Sequence, residues 1–279
     1  MDDFEAQQRE WQRIPTREEM ENRLKAETCR GVQFYKTVYA DTPGAPGCWI
    51  GGEPTLPPDI DWPTYTEDDL TVPMHFLGQI NLAEVAKFDH LPEMPTTGTL
   101  FFFYDTIYAP VSGTMGQQGS QVIYVPEDVS VYPPRPTPRF PTIETEYVSY
   151  WYLETPTQGY AKWNVQLRDF EDYNYDFDNE IMDRELSSHH WNVITALHNW
   201  QERRFNPAEN TQNRASSVTV NTMFGGRNLK KYADTTRLFS IGADPDIGFE
   251  HAGKNVCFWI NPKDLRLGRF DASFAHEEE

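Results

Sequence analysis

Phe76-Leu77-Gly78-Gln79-Ile80-Asn81, followed after an excursion by Gly98-Thr99-Leu100-Phe101-Phe102-Phe103, is the stretch that decides the fold. Runs of aromatic and branched aliphatic residues this short, bounded by glycine, have strand character. Asn81 to Ala86, between them, reads as one short helix. The pattern returns near the C-terminus as Leu238-Phe239-Ser240-Ile241-Gly242-Ala243, then Gly253-Lys254-Asn255-Val256-Cys257-Phe258-Trp259-Ile260. Each copy gives strand, excursion, glycine, aromatic strand. Two related β-rich halves in one body would produce this echo.

Working outward, the same criteria predict strands near Val32–Tyr39, Met74–Ile80, Thr99–Tyr104, Gln121–Val125, Glu146–Glu154, Val218–Met223, Thr236–Ile241 and Asn255–Ile260. Thr42-Pro43-Gly44-Ala45-Pro46-Gly47 punctuates the first of them as a turn. Thr16-x-x-Glu19, just after Pro15, fits a capping box and predicts helix in the N-terminal segment. Asn179 to Arg204 reads as a long internal helix ended by Asn206-Pro207. The expected fold class is α+β, mostly antiparallel sheet with two related β-rich halves. One domain over 1–279 is expected: a helical segment at 1–30, a β-rich body at 32–274 and an acidic tail at 275–279. Val131 to Pro141 carries five prolines and must run extended, as a connector over a sheet or as a ligand for an aromatic-lined groove.

The 279 residues include 24 basic and 43 acidic side chains, a formal charge of −19. Such a field repels phosphate backbones and anionic lipid, so nucleic acid and membrane surfaces are poor partners. A basic protein is a better one, and solubility is the plainer purpose of the charge. Three scattered cysteines, Cys29, Cys48 and Cys257, suggest neither a disulfide framework nor a thiolate zinc site. Met1-Asp2-Asp3-Phe4-Glu5 does not resemble a signal peptide, and no apolar run has the length of a membrane span. A cytoplasmic protein is expected.

No catalytic, cofactor or metal site is expected. His189, His190 and His198 are wrongly spaced for ligands on one helix face. The glycine-rich Ser112–Gly119 lacks the lysine and spacing of a phosphate cradle, and no G-x-S-x-G elbow occurs. The carboxylate pairs Asp59 with Asp61, and Asp244 with Asp246, sit beside prolines in a chain so acidic that pairs carry little information. A small-ligand binder or enzyme, with a pocket between the β-rich halves, stays open as the alternative function.

The densest feature is the segment from Asp169 to Glu185, with eight carboxylates and one arginine, a local net of −7. Carboxylates near a helix start are the structural explanation. Aromatic residues among them suit docking onto a basic protein surface. The candidate partner-binding residues are Asp169, Glu171, Asp172, Tyr173, Tyr175, Asp176, Asp178, Glu180 and Asp183.

Gly51-Gly52-Glu53-Pro54-Thr55-Leu56-Pro57-Pro58-Asp59-Ile60-Asp61-Trp62-Pro63, Phe76 to Leu82, Gly98 to Tyr104 and Phe258 to Phe270 together resemble the YwqG-like family of largely bacterial proteins. The resemblance covers about Val32 to Phe274. It implies a mixed fold dominated by antiparallel sheet and an intracellular protein, and it supplies no catalytic residues. Some relatives sit near toxin genes of bacterial competition systems, which implies an immunity role against a basic toxin. The acidic 169–206 stretch and Phe249-Glu250-His251-Ala252-Gly253 depart from the family pattern. In the matched blocks, Gly51 and Gly52 are expected at positive φ and Trp62 as an apolar plug. Gln79 and Asn81 either satisfy buried backbone groups or line a pocket.

Overall fold

Every residue of Thr99–Tyr104 is buried in the computed structural model, as expected of a strand covered on both faces. The structure describes residues 28–37, 43–67, 70–88, 93–105, 119–138, 162–173, 221–223, 235–242, 244–249 and 255–278, with positions 18 and 22. Twelve strands lie among these residues: β1 (Thr28–Lys36), β2 (Trp49–Ile50), β3 (Thr64–Glu67), β4 (Leu70–Pro73), β5 (His75–Asn81), β6 (Thr99–Tyr104), β7 (Ser120–Val125), β8 (Trp163–Tyr173), β9 (Asn221–Met223), β10 (Thr236–Gly242), β11 (Asn255–Ile260) and β12 (Phe274–Glu278). The described helices are short: α1 (Leu82–Val85), α2 (Pro262–Arg266) and single 3-10 turns. Asn81 and Asn261 cap α1 and α2 with side-chain oxygens, each accepting from an amide that the first turn leaves without a partner.

The chain divides into two compact units, Val32–Asp169 with Val218–Phe224 and Asp234–Glu279, and Met1–Gly31 with Phe170–Ser217 and Gly225–Ala233. Of the smaller unit, the described residues are helical Glu18 and Asn22 and the strand residues 28–31 and 170–173. The fold is mostly antiparallel sheet. Ten strands form one ladder in the order β12-β11-β10-β9-β1-β8-β2-β5-β6-β7, and β3 pairs with β4 alone. In the larger unit the ends of the ladder touch, where Ala275 N donates to Ser120 Oγ on β7 at 3.0 Å.

Read outward from its centre, the ladder is two copies of one arrangement. Each copy has a long strand (β8 or β1), a short one (β2 or β9) and a three-stranded meander (β5-β6-β7 or β10-β11-β12). Both meanders carry a bulge at the same place. Pairing steps from Phe76↔Phe103 to Gly78↔Phe102 across Leu77, and from Arg237↔Trp259 to Phe239↔Phe258 across Leu238. The order of long strand, short strand and meander is thus repeated on the two sides of the ladder's centre. The sequence echo, which sets Phe76 beside Leu238, is one residue out of register, because the bulges equate Leu77 with Leu238. In chain order the second copy takes its long strand, β1, from the N-terminal end.

Strand alternation sorts the apolar residues into two clusters. Leu100, Phe102 and Tyr104 join Phe34, Ile80, Leu238, Phe239, Phe258 and Ile260 between the two copies. There the Phe102 ring lies 4.6 Å from Phe239 and 5.3 Å from Phe258. Phe101 and Phe103 face outward, under Trp49, Leu56, Trp62, Met74 and Val129. Trp62 is the plug expected of it: its ring meets Phe103 edge-on at 5.2 Å and its Nε1 donates to Met74 O at 2.9 Å. Gly51 and Gly52 have φ of 63° and 66°, and a Cβ on Gly52 would lie 2.8 Å from Lys162 Cα.

Three expectations need correction. Residues 28–30 open β1 and are not part of a helical segment, because their backbone extends the strand that pairs with β9. The supposed acidic tail is β12, whose Glu277 and Glu278 pair with Val256 and Asn255; backbone pairing there outweighs the polar character of the side chains. The start of the acidic segment is strand, as described below. The remainder of the N-terminal helical segment, the internal helix at 179–204 and the strand at 146–154 lie outside the described residues, and no long helix occurs among those described.

Candidate functional site

Among the described residues of the larger unit, a polar cluster gathers at the C-terminal end of β1. Lys36, the last residue of β1, shares the strand face of Phe34 and Val32, and so reaches the rim of the interior. Its Nζ lies 2.8 Å from Asp244 Oδ1, 2.7 Å from Asp244 Oδ2 and 2.6 Å from Asp246 Oδ2. The ammonium also sits 4.9 Å from the centre of the Trp163 ring at the start of β8. Asp244 is held in turn by its own loop, since Oδ1 accepts from Asp246 N and its backbone bridges Phe249.

A second tie comes from β5. His75 is buried, and its Nε2 lies 3.1 Å from Ile247 O; a carbonyl only accepts, so Nε2 carries the proton. Burial pulls the imidazole down to about 4, partly offset by that carbonyl, and the neutral ring is the form present at neutral pH. Phe249 then packs edge-on against Tyr104 at 6.3 Å. Residues 244–249 are thus fastened to β1, β5 and β6 by an ion pair, a hydrogen bond and a ring contact. With Asp244 Oδ1 accepting from the ammonium and from Asp246 N, and Oδ2 paired to the same ammonium by charge alone, the cluster is arranged to hold this loop.

The sign of the His75 effect follows from linkage. The unfolded chain binds a proton near the ordinary histidine value and the folded chain only near 4, so stability falls as pH drops through that interval. Between about pH 6.5 and 5.5, before carboxylates titrate, His75 should account for a loss of about 1 kcal/mol. His75→Gln should flatten that slope in urea titrations at the two pH values. An unchanged slope would remove His75 as its source.

The partner-binding candidates fall into two groups. Asp169, Glu171, Asp172 and Tyr173 lie on β8, where the sequence reading placed a solvated loop and helix start. The alternation of Trp163, Val165 and Leu167, of which Val165 is fully buried, draws the strand on into the acidic run. Tyr175, Asp176, Asp178, Glu180 and Asp183 lie outside the described residues. The structure therefore brings four of the nine onto one strand.

Elsewhere the polar residues serve the scaffold. Gln79 Oε1 accepts from Thr55 N at 3.0 Å and Thr55 Oγ1 at 3.1 Å. Asn81 Nδ2 donates to Pro46 O at 3.2 Å. The Cys48 thiol, beside Asn81, is pushed up to about 12 by burial, and is inert as a nucleophile. Sequence reasoning passed over Lys36 and treated Asp244 and Asp246 as uninformative. The available signal was a lysine ending an apolar strand on its inward-facing parity.

His189, His190 and His198 lie outside the described residues. No helix among the described residues is long and apolar enough to cross a membrane. Comparison with functionally curated proteins returns no match. The family described as Domain of unknown function (DUF1963) matches residues 49–276, a span from β2 into β12 that takes in both meanders and the loop carrying Asp244. That match covers most of the chain, and the protein belongs to this family, which includes the YwqG-like proteins.

Proposed function

We propose that this is an intracellular protein-binding protein, an immunity-type inhibitor that neutralises a basic bacterial toxin through the acidic and aromatic residues of 169–185. The observation that carries the reading is the concentration of charge in the segment 169–185, a local net of −7 within a chain of −19, which begins on β8 with Asp169, Glu171 and Asp172. A backbone already ordered as strand loses less freedom on docking than an open loop. The space between the two copies of the larger unit is lined by Phe34, Phe102, Phe239 and Phe258, all fully buried. This supports recognition at the surface.

The test is kinetic. Asp172→Asn, Asp176→Asn, Asp178→Asn and Asp183→Asn combined should slow association with a basic toxin domain encoded beside the gene by about tenfold or more at low salt. The salt dependence of the on-rate should flatten as well. An on-rate and salt slope equal to those of the unmodified protein would place the interface elsewhere.

A further inference from the structure

Residues 131–138, Val131-Tyr132-Pro133-Pro134-Arg135-Pro136-Thr137-Pro138, leave the 3-10 turn Val129–Val131 as extended chain. A polyproline II segment repeats every three residues, so its side chains form three rows. One row faces the body. Tyr132 packs on the outer apolar cluster. Arg135 donates from its backbone N to Pro54 O at 2.8 Å, and from its guanidinium to Ile60 O and, at 3.4 Å, to Pro57 O. Pro138, next in that row, is half-buried. The other two rows face solvent as far as Pro136, with Thr137 beyond it half-buried: Pro133, Pro134 and Pro136 are exposed, and Val131 is 71% exposed, one of two large apolar side chains so exposed among the described residues.

We propose that Val131–Pro136 is a docking ridge for a partner domain with a single aromatic slot, of the kind that clamps two consecutive prolines between rings. Covering the outer cluster accounts for the inward row and leaves Val131, Pro133, Pro134 and Pro136 exposed. Pro133 and Pro134 occupy the two free rows side by side, as such a slot requires. A two-pocket groove that reads x-P-x-x-P also contacts the residue before each proline, and here those residues are Tyr132 and Arg135, which face the body. The ridge follows exposed Glu127 and Asp128, and the guanidinium of Arg135 is spent on carbonyls, so the complementary slot has a basic rim. Anchoring through Arg135 holds the ridge extended before a partner arrives, which lowers the ordering cost of docking.

An isotope-labelled WW domain, titrated with the full chain and followed by NMR, tests the slot. Saturable shifts at its slot rings are expected. Pro133→Ala with Pro134→Ala should weaken binding at least about tenfold, and Pro134→Ala alone, in a free row, should weaken it while leaving thermal unfolding unchanged. An SH3 domain, which has the two-pocket groove, should not bind. The proposal is overturned by an unperturbed WW spectrum, by equal affinity in the proline variants of a folded chain, or by preference for the SH3 probe.

Discussion

Phe102→Ala is expected to destabilise the protein by about 3–5 kcal/mol, read as a lower midpoint in chemical denaturation with an unchanged slope. Phe102 is fully buried and its ring meets Phe239 and Phe258. Those neighbours stand on β10 and β11, in the opposite copy of the repeated arrangement. Truncation therefore removes contacts between the copies as well as transfer energy. A cavity between the two copies cannot close without moving a whole strand, which puts the cost toward the upper end. Phe102→Leu keeps most of the volume and should cost less than half as much. A loss under about 1 kcal/mol for the alanine variant would mean that Phe102 does not join the two copies.

Lys36→Ala is expected to cost about 3 kcal/mol. The large term is what remains after the ammonium goes: Asp244, with a side chain 2% exposed, would be left charged at the edge of an apolar interior. Asp246 is about half exposed and contributes little, because water screens it. Lys36→Met combined with Asp244→Leu removes both charges, and should recover most of the loss if burial of an unpaired carboxylate is the cause. A double variant no more stable than the Lys36→Ala protein would assign the loss to packing of the lysine stem against Trp163.

Much of the sheet was legible because its strands are covered on both faces and leave unbroken apolar runs. Thr99–Tyr104 and Asn255–Ile260 coincide with β6 and β11 at both ends, and α1 was announced by Asn81 and the apolar pair Leu82 and Val85. Apart from the local hairpin of β3 and β4, what escaped notice is held by partners distant in the chain. β2 has two residues, and exists because β5 and β8 flank it. β12 is polar, and is a strand because β11 offers an edge. β8 does carry the apolar alternation Trp163, Val165, Leu167, but the acidic run beyond it drew the reading toward a loop. The cluster of Lys36 with Asp244 and Asp246 joins residues from opposite ends of the chain. Charge composition could not reveal it, since one paired aspartate looks like any other among 43 acidic residues.

The origin of the second copy's long strand at the N-terminal end bears on synthesis. On the ribosome β1 is the first of the described strands to emerge, yet Val32 pairs with Met223 and Phe34 with Asn221, partners translated only after β2 to β8. The first copy can assemble as β2, β5, β6, β7 and β8 appear. Until β9 follows, β1 can pair only with β8, and its other edge has unclaimed amides and carbonyls. Closing so long a loop is slow. The nascent chain thus carries a sticky edge for most of its translation, and a ribosome stalled before residue 221 would release a half-built ladder prone to aggregation.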